Sequence, residues 1–240
     1  MKRITCSVAV AAAALLSSAA RADLTITQKI EGAGALPEMT MKIKGDKIRI
    51  EATPEVTSIF DGKTGEMVNI MTAQKMVMRM SADQAKAAAS MAGNQLASQG
   101  VKTGEKVKVT PTGKKEKING HDAEEYVADT PAYKASYWVA KNYPNADSIM
   151  KQLQATSSQA WNATGMGMPD FRDFPGLPIR TNVSMGGQSF VTTITGVKMD
   201  PLPDTEFTVP QGYQEMKMPN MDALLGGKPD PAATPPASKK

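Results

Sequence analysis

Methionine is the residue whose number and spacing could do chemistry in this chain. The 240 residues include 17 methionines, whereas aromatic residues make up only 5%. Methionines occupy alternate positions at Met39 and Met41, and again at Met76, Met78 and Met80. Residues two apart on a β-strand share a face, so these thioethers would line one side of a sheet. Because unbranched, polarizable side chains repack around different guests, such a lining favours binding of varied acyl chains.

Two other uses of the methionines fit the same pattern. They can fill an irregular core, since thioethers commonly plug gaps between stiffer side chains. They can also bind copper(I) or silver(I), because soft cations prefer thioether sulfur, and Met166/Met168 and Met216/Met218 repeat the spacing. Metal binding would concentrate on these loop and tail residues, whereas lipid binding needs the strand methionines.

The residues on which most enzymes depend are scarce. His121 is the only histidine and Cys6 the only cysteine, and His121 adjoins an Asn119-Gly120 turn. One histidine cannot supply a typical zinc site, and no serine or cysteine triad can be built without a thiol or a credible base. We therefore predict no enzymatic activity, no catalytic residue, no metal bound through histidine or cysteine, and no cofactor.

The first 22 residues have the features of a secretory signal. Lys2 and Arg3 precede the apolar stretch 4–16, and Ala20-Arg21-Ala22 offers a small-x-small cleavage site. We predict cleavage after Ala22 and a periplasmic location. Cleavage of this segment removes basic residues and no acidic ones, so the net charge falls below the +4 of the full chain. The positive charge that remains is too small for nucleic-acid binding. No later segment has enough consecutive apolar residues to span a membrane.

Alternation of apolar and polar residues, broken by turns, predicts antiparallel hairpins that must position the methionines. A two-residue turn at Gly45-Asp46 sets Ile43 opposite Ile48 and Met41 opposite Ile50. With Met39, these apolar side chains share one face, and the other face carries a basic stripe of Lys42, Lys44, Lys47 and Arg49.

A turn at Ala73-Gln74 extends the same lining to a second hairpin. It brings Met71 opposite Met76 and Met67 opposite Met80. Two more hairpins turn at Asn119-Gly120, with Lys117 facing Asp122 and Lys115 facing Glu124, and at Gly186-Gly187, with Val183 facing Phe190. Further strands are predicted at 24–31, 56–61, 66–72, 75–80, 106–111, 133–141, 206–209 and 213–218.

Helices are predicted at 82–99 and 146–158. Ser81 and Gln84 form a capping box before the first, and the second follows Asn145 with Ile149 among its inward residues. Residues 162–180 are expected to form a long loop.

Five segments, in this order, are similar to one bacterial family. They are Met39 to Glu51, Lys75 to Gln84, Lys115 to Tyr126, Tyr137 to Leu153, and Phe207 to Pro219. Together they resemble the family called domain of unknown function 4412 over nearly the whole mature chain. The resemblance implies an architecture like that of the periplasmic Lol-type lipoprotein carriers, an unclosed antiparallel barrel whose concave face binds acyl chains under covering helices.

We therefore predict an α+β domain over residues 23–218, between a signal peptide at 1–22 and a disordered, Pro- and Ala-rich tail at 219–240. Its curved antiparallel sheet forms an incomplete, half-open β-barrel with two or three helices on the concave side. The expected function is non-catalytic binding of a hydrophobic or lipid-modified ligand, as a carrier or sensor, with a lipoprotein or envelope protein as a further partner. The predicted ligand-binding residues are Met39, Met41, Ile43, Ile48, Ile50, Met67, Met71, Met76, Met78, Met80, Trp138, Phe171 and Phe174.

A protein-interaction or structural module without a ligand cavity is the alternative. Its partner would contact the basic stripe, so association would be sensitive to salt.

Overall fold

The computed structural model describes residues 23–32, 38–98, 107–130, 134–160, 169–185 and 187–216. These residues contain mostly strands, with two α-helices, α1 Ala82–Ser98 and α2 Ala146–Ala160, and short 3-10 helices at Phe171–Asp173 and Asp204–Phe207. The strands are β1 Leu24–Gly32, β2 Met39–Lys44, β3 Lys47–Thr53, β4 Val56–Asp61, β5 Met67–Met71, β6 Met76–Met80, β7 Thr110–Ile118, β8 His121–Asp129, β9 Lys134–Ala140, β10 Leu177–Met185, β11 Gln188–Lys198 and β12 Gln214–Met216.

All twelve strands belong to one open sheet. Its order is β12-β6-β5-β4-β3-β2-β1-β11-β10-β9-β8-β7, so β12 and β7 are its two edges. Neighbours are antiparallel except β12, which runs parallel to β6. The sheet is thus a series of hairpins, joined in the middle by the long-range pairing of β1 with β11.

Contacts across non-neighbouring strands show that one half of the sheet is strongly curved. Asn119, in the turn between β7 and β8, donates from Nδ2 to the Ile194 carbonyl of β11 at 2.9 Å. In a flat sheet β8 and β11 would lie about 14 Å apart, three strand spacings, which an asparagine side chain cannot bridge. Arg180 of β10 likewise reaches Glu116 of β7 at 2.8 Å. The half from β11 to β7 therefore curls on itself.

The hairpin registers predicted from the turns are confirmed. Ile43 pairs with Ile48 and Met41 with Ile50. The registers of the other three hairpins are also as predicted, including Met67 with Met80, Lys117 with Asp122 and Val183 with Phe190. Asn119 and Gly120 both have positive φ, the conformation that a type I′ hairpin turn requires.

Three predicted segments differ from the structure. In the strand expected at 106–111, residues 107–109 are not in a strand, and β7 begins at Thr110. Where a strand was expected at 206–209, residues 206 and 207 end the 3-10 helix Asp204–Phe207 and residues 208 and 209 are in no helix or strand, because the polar groups there are satisfied by turn bonds and by Arg49 instead of a neighbouring strand. The loop expected at 162–180 ends earlier, since β10 begins at Leu177. Pro178 there lies at a register shift, where a strand tolerates proline. Residues 162–168 and 217–240 lie outside the described residues.

The main core lies between the central strands and α2. Leu24 and Ile26 of β1 are almost wholly buried, and so are Val139 of β9 and Ile149 of α2. Helix α2 packs against β10 and the 3-10 helix Phe171–Asp173. At the start of α1, Ser81 and Gln84 exchange hydrogen bonds of 2.9 and 3.3 Å, which confirms the capping box.

Candidate ligand-binding face

One face of strands β2 to β6 collects the predicted methionines. Paired residues on neighbouring strands point to the same side of a sheet, so the registers fix which side chains share this face. One cross-strand row runs Met41, Ile50, Ser58, Asn69 and Met78. We call the whole set the methionine face, and its members are Met39, Met41, Ile43, Ile48, Ile50, Val56, Ser58, Phe60, Met67, Asn69, Met71, Met76, Met78 and Met80.

The methionine face carries no charged side chain, and its thioethers are half-buried. Ile43 and Ile48 are buried, whereas all seven methionines retain partial exposure. Met41, Ile50 and Phe60 pack against the main core, so the face continues from that core toward the β6 edge. There Met216 of β12 pairs with Met78 and is 40% exposed. Half-buried thioethers leave apolar surface that a ligand can cover.

The opposite face of the same strands is covered by the chain's own C-terminal segment, residues 200–216. Ile59, Val68, Ile70 and Val77 are buried there and form a second cluster. Val209 and Tyr213 pack against that cluster. The C-terminal segment therefore seals this side of the strands with apolar contacts.

Ion pairs fasten the C-terminal segment to β2 and β3. Lys42 Nζ lies 3.0 Å from Glu206 and 3.1 Å from Glu51, and Arg49 Nε lies 2.7 Å from Glu51. Arg49 Nη1 also donates to the Glu206 carbonyl at 2.8 Å. Lys44 adds an ion pair to Asp204 at 2.8 Å. Three cations of the predicted basic stripe thus serve contacts within the chain, which disfavours the stripe as a binding site for an anionic partner.

The protonation of this cluster follows from its contacts. Burial opposes ionisation of Glu51, but hydrogen bonds from Arg49 and Lys42 outweigh it and lower the pKa of Glu51. Burial likewise opposes the charge on Lys42, and hydrogen bonds to Glu206 and Glu51 raise the pKa of Lys42 despite it. Both groups are therefore charged near neutral pH.

The predicted aromatic residues lie in the other half of the sheet. Phe174 is buried, with its ring centroid 4.9 Å from that of Tyr137 and 6.5 Å from that of Tyr126. Trp138 of β9 and Phe171 pack against the same main core. Along the sheet, three strands separate β9 from β2, although Trp138 and Phe171 pack against the same core cluster as Met41 and Ile50. Phe174 is a core residue here, and its burial gives no support to a role in closing a ligand site.

Two polar members of the methionine face escaped the sequence analysis. Ser58 Oγ donates to Asn69 Oδ1 at 2.6 Å, and both side chains are half-buried. The register of the β4–β5 hairpin, with its connection over residues 62–66, would have placed them on this face.

A charged groove of about 400 Å³ lies along the β7–β8 hairpin. Lys117 lies 3.2 Å from Asp122, and Lys141 lies 2.7 Å from Glu124, a hydrogen bond that lowers the pKa of Glu124. Its lining has equal numbers of acidic and basic residues. The groove therefore presents little net charge to a ligand.

Residues 22–213 match the family described as Domain of unknown function (DUF4412). The chain belongs to this family. That confirms the membership predicted from the five segments. No curated protein matches this DUF4412 chain in sequence.

Solved structures resemble this DUF4412 chain only remotely. Lipoprotein LppX of Mycobacterium tuberculosis is 11% identical, with 76% of this chain and 88% of that chain covered and a TM-score of 0.38. Two crystal forms of PNGF-II are 15% identical, with 82% of this chain covered and TM-scores of 0.38 and 0.35. This chain spans only 31% of the length of PNGF-II.

The described part of this DUF4412 chain has neither a cluster of potential metal ligands nor a membrane-spanning helix. Among those residues, no three His, Cys, Asp or Glu side chains are grouped where they would hold a metal ion. No helix among them combines the length and apolarity needed to cross a membrane.

Proposed function

We propose that this protein binds a hydrophobic or lipid-modified ligand on its methionine face, without catalysis, as a carrier or sensor. The observation that carries the proposal is the segregation of side chains across β2 to β6. One face holds seven half-buried methionines and no charge, while the opposite face, with its ion pairs and its buried cluster of Ile59, Val68, Ile70 and Val77, is already covered by the chain's own C-terminal segment. The strands thus already have a covered apolar cluster on one side, and the methionines on the other side remain partly exposed.

The chemistry of the thioether supports an adaptable site. Methionine has three rotatable bonds and a polarizable sulfur, so it fits guests of different shape with little strain. Burying each CH₂ group of an acyl chain contributes about 0.8 kcal/mol, and the half-exposed methionines supply the surface for such burial. A half-open barrel with helices over its hollow side would complete the enclosure of the ligand.

We extend the proposal to the location of the protein. Export through a signal peptide cleaved after Ala22 would start the mature chain at Asp23. Asp23 Oδ2 accepts a hydrogen bond from the Leu202 backbone nitrogen at 2.7 Å, and Leu24 is wholly buried. The first residues of the proposed mature chain thus make folded contacts, which is compatible with cleavage directly before Asp23.

Replacement of Met78 by glutamate tests the proposed ligand face. The probe is a fatty acid methyl ester with pyrene at the end of its chain, and binding is followed by fluorescence. Because a carboxylate at the middle of the face would need desolvation without a partner, Met78→Glu should abolish binding. Gln74→Glu adds the same charge at the exposed turn of that hairpin and should bind like the wild type. Retained binding by folded Met78→Glu would reject the face as the ligand site.

Copper(I) or silver(I) binding is a second candidate, and cross-strand pairs of methionines favour it on the strands; Met166, Met168 and Met218, where the sequence analysis placed it, lie outside the described residues. Met71 lies opposite Met76, Met67 opposite Met80, and Met78 beside Met216. Soft cations prefer thioether ligands, and paired strands bring such sulfurs closer than one strand alone. Met78→Leu removes a sulfur and keeps the apolar surface. Silver(I) uptake in native mass spectrometry that is lost in Met78→Leu, with ester binding intact, would favour this candidate.

A further inference from the structure

A single polar pair interrupts the methionine face. Ser58 and Asn69 lie between Ile50 and Met78 in the same cross-strand row, and Ser58 Oγ donates to Asn69 Oδ1 at 2.6 Å. Polar side chains on an apolar surface cost free energy unless they form hydrogen bonds. The pair satisfies part of that need within the protein and fixes the orientation of the Asn69 amide.

The direction of this hydrogen bond decides which group Asn69 offers. An amide has one oxygen acceptor and an NH₂ group with two donors. Since Asn69 Oδ1 accepts from Ser58, the Nδ2 donors remain for another acceptor. A second half-buried pair, on β9 and β10, has the opposite arrangement, because Asn182 Nδ2 donates to Ser136 Oγ at 3.1 Å. Of these two pairs, only the one on the methionine face has the Nδ2 group of its asparagine directed away from the serine.

The surroundings of Asn69 define the acceptor that suits it. The methionine face has no cation, so an ionised carboxylate would be desolvated there without a counter-charge. The carbonyl of an ester or amide accepts a hydrogen bond and has no charge to desolvate. A bare hydrocarbon would cover the Nδ2 donors and leave them without an acceptor.

We propose that the methionine face selects acyl chains linked through an ester or amide, with Asn69 Nδ2 donating to the carbonyl oxygen. This inference rests on the proposed function and names its class of ligand. Acylated lipids and lipid-modified proteins both carry such carbonyls, whereas free fatty acids and alkanes do not.

Three pyrene-labelled probes of equal chain length test this selectivity: a methyl ester, an alkane, and a free acid at neutral pH. The wild type should bind the ester about three- to tenfold more tightly than the alkane, the range that one net hydrogen bond supplies. It should also bind the ester more tightly than the acid. Asn69→Leu should bind ester and alkane equally, with an alkane affinity at least as high as that of the wild type, because no donor is then covered without an acceptor.

Two further variants complete the test. Asn182→Leu removes another half-buried asparagine that bonds to a serine, away from the face, and it should keep the preference for the ester. Ser58→Ala frees the Asn69 amide to rotate and should weaken the preference, so it also serves if Asn69→Leu does not fold. Equal binding of ester and alkane by the wild type, or an undiminished preference in Asn69→Leu, would overturn this inference and leave the proposed function standing. Failure of the wild type to bind any probe would overturn both.

Discussion

The attachment of the C-terminal segment is open to a direct test by Glu206→Gln. The Glu206 carboxylate lies 3.0 Å from Lys42 Nζ and 3.7 Å from Arg49 Nε. The side chains of Lys42 and Arg49 are only 17% and 19% exposed, so water screens these contacts weakly. The substitution keeps the size of the side chain and one oxygen acceptor, and it removes the charge.

The expected loss of stability follows from what remains in the variant. A hydrogen bond to a charged group contributes about 1.5–3 kcal/mol and a neutral one about 0.5–1.5 kcal/mol. Replacing the carboxylate acceptor of Glu206 by the amide oxygen of glutamine therefore costs about 1 kcal/mol. Two cations then share Glu51 as their remaining carboxylate, and their mutual repulsion brings the expected total to about 1–2 kcal/mol. For a domain of this size, the Tm should fall by about 2–8 °C.

Thermal unfolding followed by circular dichroism measures this difference. The control is Glu31→Gln, because Glu31 pairs with Lys29 at 2.8 Å while both side chains are more than half exposed. Exposed pairs contribute little, so this control should unfold like the wild type. Equal Tm shifts in the two variants, or no shift in Glu206→Gln, would refute the assignment of Glu206 as the residue that fastens the segment.

Three further predictions concern stability. Gly32→Ala should lower the free energy of unfolding by about 2 kcal/mol in urea titrations, because φ is +122° and an added Cβ would lie 2.1 Å from the Ser189 carbonyl oxygen. Ser81→Ala should cost about 1 kcal/mol in the same assay through loss of the capping box of α1. Acid should loosen the C-terminal segment: the pKa of Glu51 is lowered from 4.5, so its stabilising effect is present above that value and lost as the pH falls below it. In hydrogen exchange corrected for the intrinsic rate, residues 204–209 of the wild type should lose protection as the pH falls below 4.5, whereas Glu51→Gln should show low protection already at neutral pH.

Each of these predictions has an outcome that contradicts it. Wild-type stability of Gly32→Ala would mean that the end of β1 tolerates a Cβ. If Ser81→Ala is as stable as the wild type, the capping box does not stabilise the protein. If Glu51→Gln and the wild type lost protection of residues 204–209 at the same pH, Glu51 would not be the titrating group.

The hairpins could be predicted from sequence because the signals are local. Alternating residues and two-residue turns such as Gly45-Asp46 fix a register over a few residues, and the structure has those registers. The family membership was also accessible, since its segments lie in order along the chain.

Long-range partners could not be predicted in this way. The facing cations Lys42 and Arg49 need an anion nearby. The hairpin register already places Glu51 on their face of the sheet. Glu206 lies more than 150 residues away along the chain, and no local pattern connects it to β2. The pairing of β1 with β11 and the parallel β12 are likewise non-local. Asn69 is a different case, because alternation along β5 already places it on the same face as Met67 and Met71.

Methyl-labelled methionine NMR tests ligand binding on the methionine face most directly. The 17 methionines give separate methyl signals once assigned by substitution, and the pyrene-labelled methyl ester is titrated into the wild type. Binding as proposed shifts the signals of Met67, Met76 and Met78 and leaves that of Met150, buried in the main core, unchanged. Saturating ester that leaves all three signals in place would contradict the proposal.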